Sequence, residues 1–333
     1  MATTAGNRNL ITDVKGLRVG QAHDARIKTG VTVILPDEPA VAACAVAGGG
    51  PGTRETDLLN AGAMVDYVDA VFLSGGSAFG LGAADGVMAG LKRAGRGFSL
   101  IERPGVPPTP IVPGAILYDL ANGGNKDWNG IAPYGALGLE AFEAASVDVE
   151  LGRAGAGHGA LAGQYPGGTG SASAVTAEGI TVGAIACVNC FGSVQMPGTD
   201  AYWAWPYEID GEFGGGRPPA DFSMDVEDWG AAKANPALGQ NTTIACIATD
   251  AALTPSQAQR VAQMALSGFS RSIRPVFAPF DGDAVFVLST RGVSLPSPDP
   301  MTVTRIGELA ASTLARAIAR GVHEARKQTG TAA

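Results

Sequence analysis

The sequence predicts a layered α/β chain, and three observations predict it. Apolar runs of strand length recur without polar alternation, helical stretches carry a one-sided apolar stripe, and glycine clusters fall between the two. Strands are expected at 31–35, 41–46, 70–73, 181–188, 243–249 and 284–289. Continuous apolar strands of this kind belong to sheets covered on both faces. The helix signals are local. Thr254-Pro255-Ser256-Gln257 combines an N-cap, a first-turn proline and a Gln three residues after the cap. Ala258, Val261, Ala262, Ala265 and Phe269 then fall on one face. A second helix is expected over 304–327, with Ile306, Leu309, Ala310, Leu314, Ala317, Ile318 and Val322 as its stripe. A third is expected over 77–93, where Gly82, Ala83, Gly86 and Gly90 imply close packing. Glycine makes up 48 of 333 residues, about twice the usual ~7%, with no collagen-like period.

Length and charge narrow the function. A chain of 333 residues is one large layered domain or two smaller ones. The net charge of −8 is concentrated over 200–236, where eight acids face only Arg217 and Lys233. That stretch, which also holds Trp203, Trp205 and Trp229, reads either as a solvated excursion or as an ordered rim. No basic stripe exists, which argues against nucleic acid and anionic membranes. Residues 1–16 lack the apolar region of a signal peptide. The most apolar stretch, 70–91, contains Asp85 and six glycines and reads as a buried strand and helix. Cys44, Cys187, Cys190 and Cys246 do not make a secreted disulfide framework. Cys187-x-x-Cys190 has no second pair to complete a zinc set, so no metal or cofactor is expected. A cytoplasmic, reducing setting follows.

The chemistry concentrates at Asn241-Thr242-Thr243, where a polar approach meets the apolar run 243–249. Cutting before Thr242 would place a hydroxyl nucleophile at the start of a strand, with its own new α-amine as base. That amine titrates at about 7.7–8.0 when unperturbed, so no histidine is required. As a bare tripeptide the segment also fits a glycosylation acceptor, which a cytoplasmic setting removes. Other nucleophile patterns fare worse. Gly75-Gly76-Ser77-Ala78-Phe79-Gly80 closes one place too late for a nucleophile elbow. With only His23, His158 and His323, a Ser-His-Asp triad is poorly supplied. His158 reads as a turn residue or as one lining a cleft. Asp281-Gly282-Asp283 places two carboxylates before a strand, or else is an ordinary Asp/Gly turn.

Together these pieces resemble the self-cleaving L-aminopeptidase/D-Ala-esterase (DmpA-type) family. The resemblance is carried by Asn241-Thr242-Thr243-Ile244, the helix from Thr254, and Asp281-Gly282-Asp283-Ala284-Val285-Phe286. Upstream it extends to Gly49-Gly50-Pro51-Gly52-Thr53-Arg54-Glu55, Leu73-Ser74-Gly75-Gly76-Ser77-Ala78-Phe79-Gly80-Leu81, Ile116-Leu117-Tyr118-Asp119-Leu120, Gly152-Arg153-Ala154-Gly155-Ala156-Gly157 and Val188-Asn189. The threonine and the Asp-Gly-Asp most resemble its nylon-oligomer hydrolase branch.

The resemblance implies a four-layer αββα sandwich, and a single catalytic domain cut into 1–241 and 242–333. It further implies a homo-oligomer, commonly a tetramer of processed heterodimers. It makes Thr242 the nucleophile, Asn189 the holder of the oxyanion and Tyr118 a lining residue. Asp281 and Asp283 become the pair that orients the Thr242 amine and hydroxyl or receives a substrate ammonium. Where that branch carries a lysine this chain has Gln164, so another cation substitutes, or the enzyme is slower, differently selective or inactive. The function implied is an aminopeptidase or amidase acting on small peptides or amides. The alternatives are an acyltransferase of the ornithine acetyltransferase type and an inactive member.

Overall fold

Along the strand Thr242–Ala251, Ile244, Cys246 and Ala248 face one core while Ala245 and Ile247 face another. Its neighbours repeat the alternation: Ile185 and Cys187 against Ala184, Ala186 and Val188, and Phe286 and Leu288 against Val285 and Val287. Both faces of the sheet are therefore buried, which is why the sequence shows unbroken apolar runs instead of a polar alternation. The computed structural model describes residues 3–233, 241–295 and 300–330.

Two sheets stack through the shared core. One orders its strands Leu17–Asp24, Thr29–Pro36, Val71–Ser74, Gly114–Ile116, Thr53–Arg54. The other runs Gly168–Val175, Thr181–Asn189, Thr242–Ala251, Ala284–Val293, Ala40–Val46, Tyr67–Val68. Helices α1 (Ala83–Arg93) and α2 (Tyr134–Glu143) cover the outer face of the first sheet. Helices α3 (Pro255–Ser270) and α4 (Pro300–Thr329) cover the second. The result is the αββα sandwich that the resemblance implies. Thr242–Ala251 and Ala284–Val293 run parallel, and α3 lies in the crossover connection that a parallel pair needs.

The expected elements appear with small shifts. The Thr254 box is intact: Thr254 accepts from the Gln257 N–H, and Gln257 reaches back to the Thr254 N–H. The helix expected over 77–93 opens as a 3-10 turn, Ser77–Gly82, before α1. The close packing is real at Gly86, where a Cβ would stand 1.9 Å from the Gly135 carbonyl of α2. Helix α2 and the strands Leu17–Asp24 and Gly168–Val175 lay outside the expectations. The strand Gly168–Val175 reads GTGSASAV, too small and polar for a strand signal. It forms by pairing with Thr181–Asn189 and by admitting α4, whose Ala317 carbonyl would lie 1.9 Å from a Cβ on Gly170.

The acidic stretch divides: Asp221, Asp225, Glu227 and Asp228 are exposed, as the solvated reading expects, while Glu208 and Glu212 are built into the fold. Glu212 accepts from Arg316 (2.5 Å) and from Asn9 (2.6 Å), and Arg316 is only 2% exposed. The Glu208 side chain, 1% exposed, pairs with Arg217 at 2.8 Å. Residues 234–236 of the stretch lie outside the described residues. Cys187 and Cys190 point into different cores, which separates the two thiols of the Cys-x-x-Cys. No helix among the described residues is long and apolar enough to cross a membrane.

Candidate active site

Strand register assembles the site. Asn189, the last residue of Thr181–Asn189, lies directly opposite Thr242, the first of Thr242–Ala251. By the alternation above, both side chains belong to the face between the sheets. On the other flank the parallel pairing continues past Ala284, so that Asn241 bridges Asp281 and the Gly282 N–H donates to the Asn241 carbonyl (3.2 Å). Thr242 Oγ1 donates to that same carbonyl oxygen. The candidate nucleophile and the candidate scissile group are thus in contact. Thr242 is 3% exposed and Asn241 1%.

Gly282 has a specific duty beyond a turn. A Cβ there would stand 2.8 Å from Thr242 Oγ1 and 2.8 Å from the Gly50 carbonyl. A side chain would therefore press on the hydroxyl. The Gly-rich loop before Thr53 closes over the same spot, with the Gly50 N–H donating to the Asp281 carbonyl (2.7 Å).

Asn189 is tightly held. Its Nδ2 donates to the Tyr118 carbonyl (2.8 Å), while Oδ1 accepts from Asn122 Nδ2 (2.9 Å) and the Leu161 N–H (2.9 Å). Donors on one end and an acceptor on the other define which way the amide points. Tyr118 is therefore brought to the site through its backbone carbonyl. Its neighbour Asp119 anchors that segment, accepting from Thr29 Oγ1 (2.6 Å) and the Gly76 N–H (2.8 Å). Burial pushes the Asp119 carboxyl up, against the pull of those hydrogen bonds and of Lys126.

The carboxylates divide their work. Asp283 Oδ1 accepts from the Thr243 N–H (2.6 Å) and Oδ2 from the Phe277 N–H (3.3 Å). Asp281 Oδ2 accepts from the Ala278 N–H (3.2 Å), while its Oδ1 is buried without a partner among the described residues. Burial pushes both above the usual carboxylate range, and the Asp281 charge pushes Asp283 further. The pair therefore favours a single negative charge over two, with the Ala278 N–H and Lys233 opposing the rise at Asp281 and the Thr243 and Phe277 N–H groups opposing it at Asp283.

Lys233 is the residue that sequence reasoning missed. Its Nζ lies 2.8 Å from Asn241 Oδ1 and 3.5 Å from the Asn189 carbonyl. Burial lowers its pKa to about 8, opposed by the attraction of Asp281. A buried ammonium therefore stands beside Asn241 in a chain that carries Gln164 in place of the branch's lysine. Gln164 itself donates to the Ala232 carbonyl (3.0 Å), next to Lys233. Both residues line a cavity of about 680 Å³ with Phe191, Trp229, Phe277 and Phe280. Its only signal in sequence was being one of two bases in an acidic stretch. Asn122 had none. His158 stacks on His23, ring centroids 4.2 Å apart, and takes no part in these contacts.

A pH dependence of stability follows from the raised pair. A carboxyl with an elevated folded pKa binds its proton more tightly in the folded chain than in the unfolded one. Its contribution is complete below about pH 4, the unfolded value, and is lost as pH rises through the folded one. Urea melts of uncut Thr242→Ala should therefore weaken from pH 4 to pH 8, and Asp283→Asn on that background should flatten the slope. Parallel pH curves for the two variants would exclude Asp283 as the source.

Comparison with known proteins bears on the family and the fold. The sequence profile of peptidase family S58 matches residues 9–333. An uncharacterized aminopeptidase of Mycobacterium tuberculosis is 44% identical, covering 97% of this chain and 96% of its own length. A 6-aminohexanoate-oligomer endohydrolase of Paenarthrobacter ureafaciens is 30% identical over 88% of this chain and 78% of its own. Among solved structures, a β-aminopeptidase of a Burkholderia species superposes with a TM-score of 0.70 at 24% identity, covering 96% of this chain and 88% of that one. The L-aminopeptidase D-Ala-esterase/amidase of Ochrobactrum anthropi, described as a variant of the Ntn hydrolase fold, gives 0.65 at 21%, covering 96% and 87%.

Proposed function

The chain belongs to peptidase family S58 and hydrolyses peptide or amide bonds, and on that premise we propose that Thr242 is its nucleophile, exposed by self-cleavage between Asn241 and Thr242. The observation that carries the proposal is the contact of Thr242 Oγ1 with the Asn241 carbonyl, opposite Asn189. Attack of Oγ1 on that carbonyl carbon gives a tetrahedral centre. The C–N bond then breaks, the Thr242 nitrogen takes a proton, and an ester links Asn241 to the hydroxyl. Water hydrolyses the ester, releasing fragments 1–241 and 242–333. The freed amine then serves as base when Oγ1 attacks a substrate carbonyl, and water again releases the acyl group.

We assign the Asn189 side-chain amide, which lies opposite Thr242, to the oxyanion of each tetrahedral centre, where an amide N–H is a suitable donor. Asp283 orients the strand start by holding the Thr243 N–H. Asp281, with a buried oxygen still unmatched, is the natural partner for an ammonium, either that of Thr242 or that of a substrate.

The substrates we propose are small peptides or amides with a free amino group, releasing N-terminal amino acyl units. Acetylating that amine should lower kcat/KM by roughly 10-fold or more, the worth of a charge-assisted hydrogen bond. Paired assays of an aminoacyl p-nitroanilide and its N-acetyl form test this. Equal rates would point to an endo-acting amidase instead. Four free cysteines, three of them buried, suit a reducing cytoplasm. Assembly of the processed heterodimer into a tetramer is the state to look for by light scattering.

A further inference from the structure

Uncut, the chain presents its own substrate to its own site, because Asn241 occupies the acyl side of the bond that Thr242 faces. The hold on the Asn241 side chain is single. Oδ1 accepts from Lys233 Nζ at 2.8 Å, while Nδ2 is buried without a partner among the described residues. Apart from Lys233 and Gln164, the adjoining cavity is walled by hydrophobic and small residues, with Phe191, Trp229 and Phe280 packed edge to face. Lys233 thus joins Asn241 to a cavity whose walls, Gln164 apart, are hydrophobic or small. We propose that Lys233 reads the acyl side of the scissile bond, gripping the Asn241 side-chain oxygen during self-cleavage and selecting, in the processed enzyme, acyl groups that end a short side chain in an amide oxygen. Asparaginyl amides are the class this describes.

The inference rests on the reading of Thr242 as nucleophile, since only then do Asn241 and a substrate acyl group occupy the same place in turn. Electrostatics supports it. Keeping an ammonium so buried that its pKa falls to about 8 is costly unless oxygen acceptors surround it. Those present are Asn241 Oδ1 and the Asn189 carbonyl, with the Asp281 charge close by. After cleavage and departure of Asn241, Nζ regains a full set of partners when a substrate offers an oxygen there. Leucine offers none, although the aromatic walls would welcome it.

Two measurements test the assignment. The first is the self-cleavage rate of the wild type, Lys233→Met, Asn241→Ala and the double variant. Each single change should slow cleavage about 10- to 100-fold, the worth of one hydrogen bond to a charged group. The double variant should be no slower than the slower single, because both remove the same contact. The second is kcat/KM for asparagine and leucine p-nitroanilides. The wild type should favour asparagine by about 10-fold, Lys233→Met should bring the ratio near one, and Lys233→Arg should keep it above one. A merely structural defect would slow both substrates alike and leave the ratio unchanged.

Multiplicative effects in the double variant, a wild-type ratio near or below one, or a ratio untouched by Lys233→Met would overturn the proposal. Should Lys233→Met fail to fold, Lys233→Arg and the wild-type ratio still decide. A wild type that neither cuts itself nor hydrolyses any amide would overturn the Thr242 reading as well. One that cuts normally but shows no Lys233-dependent preference would overturn this inference alone.

Discussion

Thr242→Ala remains a single chain of 333 residues after long incubation, whereas the wild type resolves by intact mass into fragments 1–241 and 242–333. The expectation follows from the contact of Oγ1 with the Asn241 carbonyl. The variant should also lose amide hydrolysis, with turnover lower by on the order of 10⁶, as when other enzymes lose their nucleophile. Thr242→Ser retains a hydroxyl at the same position and should still process. Its freedom from the β-methyl alters the rotamer preference, so its rate is expected to differ while the cleavage position does not. The folded state should survive the alanine change, because the strand and its pairing with Thr181–Asn189 do not depend on the hydroxyl. A wild type found intact, or an alanine variant found cut at the same bond, would refute the assignment.

Asn189→Ala is the second large effect, a fall in turnover of roughly 10²–10³, the usual consequence of losing one oxyanion donor. Substrate affinity should change less, because the donor is needed most where negative charge develops. The surroundings make the prediction sharper. Deleting the Asn189 amide removes a donor from the Tyr118 carbonyl and the acceptor of the Leu161 N–H, and leaves Asn122 Nδ2 with the Gly159 carbonyl alone. Some stability is lost as well, about 1–3 kcal/mol for each buried group left unsatisfied. Asn122→Ala separates the two effects. It keeps the Asn189 donor and removes only one of the contacts that aim it, so turnover should fall less than in Asn189→Ala. Steady-state kinetics beside urea melts distinguishes them, and an Asn189→Ala enzyme with altered KM but unchanged kcat would refute the oxyanion role.

Much of the architecture was legible because burial writes itself into local pattern. Both-face-covered strands such as 243–249 appear as unbroken apolar runs, and the Thr254 box, the first-turn proline and the stripe of α3 are all contained within one short window. The Asn241-Thr242 junction and Asp281-Gly282-Asp283 stood out for the same reason: a polar motif abutting an apolar strand is a local event. Helix α2 and the strand Gly168–Val175 were missed because their stability comes from partners. Small residues there carry little signal of their own, and they matter because Gly138 and Gly170 let another helix approach.

Local pattern marked the long apolar strands and three of the helices, and it singled out the hydroxyl that opens one strand. Which polar residues attend that hydroxyl depends on contacts between distant segments. Lys233 reaches Asn241 from the end of a long irregular excursion, Asn122 reaches Asn189 across 67 positions, and Asp119 steadies Tyr118 by accepting from Thr29, 90 positions away. No local period encodes such meetings. Each depends on strand register and loop closure, whose entropy is repaid by the whole core and not by the few residues that meet. The cation at this site arrives through the fold, from a lysine that by composition looked like one lone base among acids.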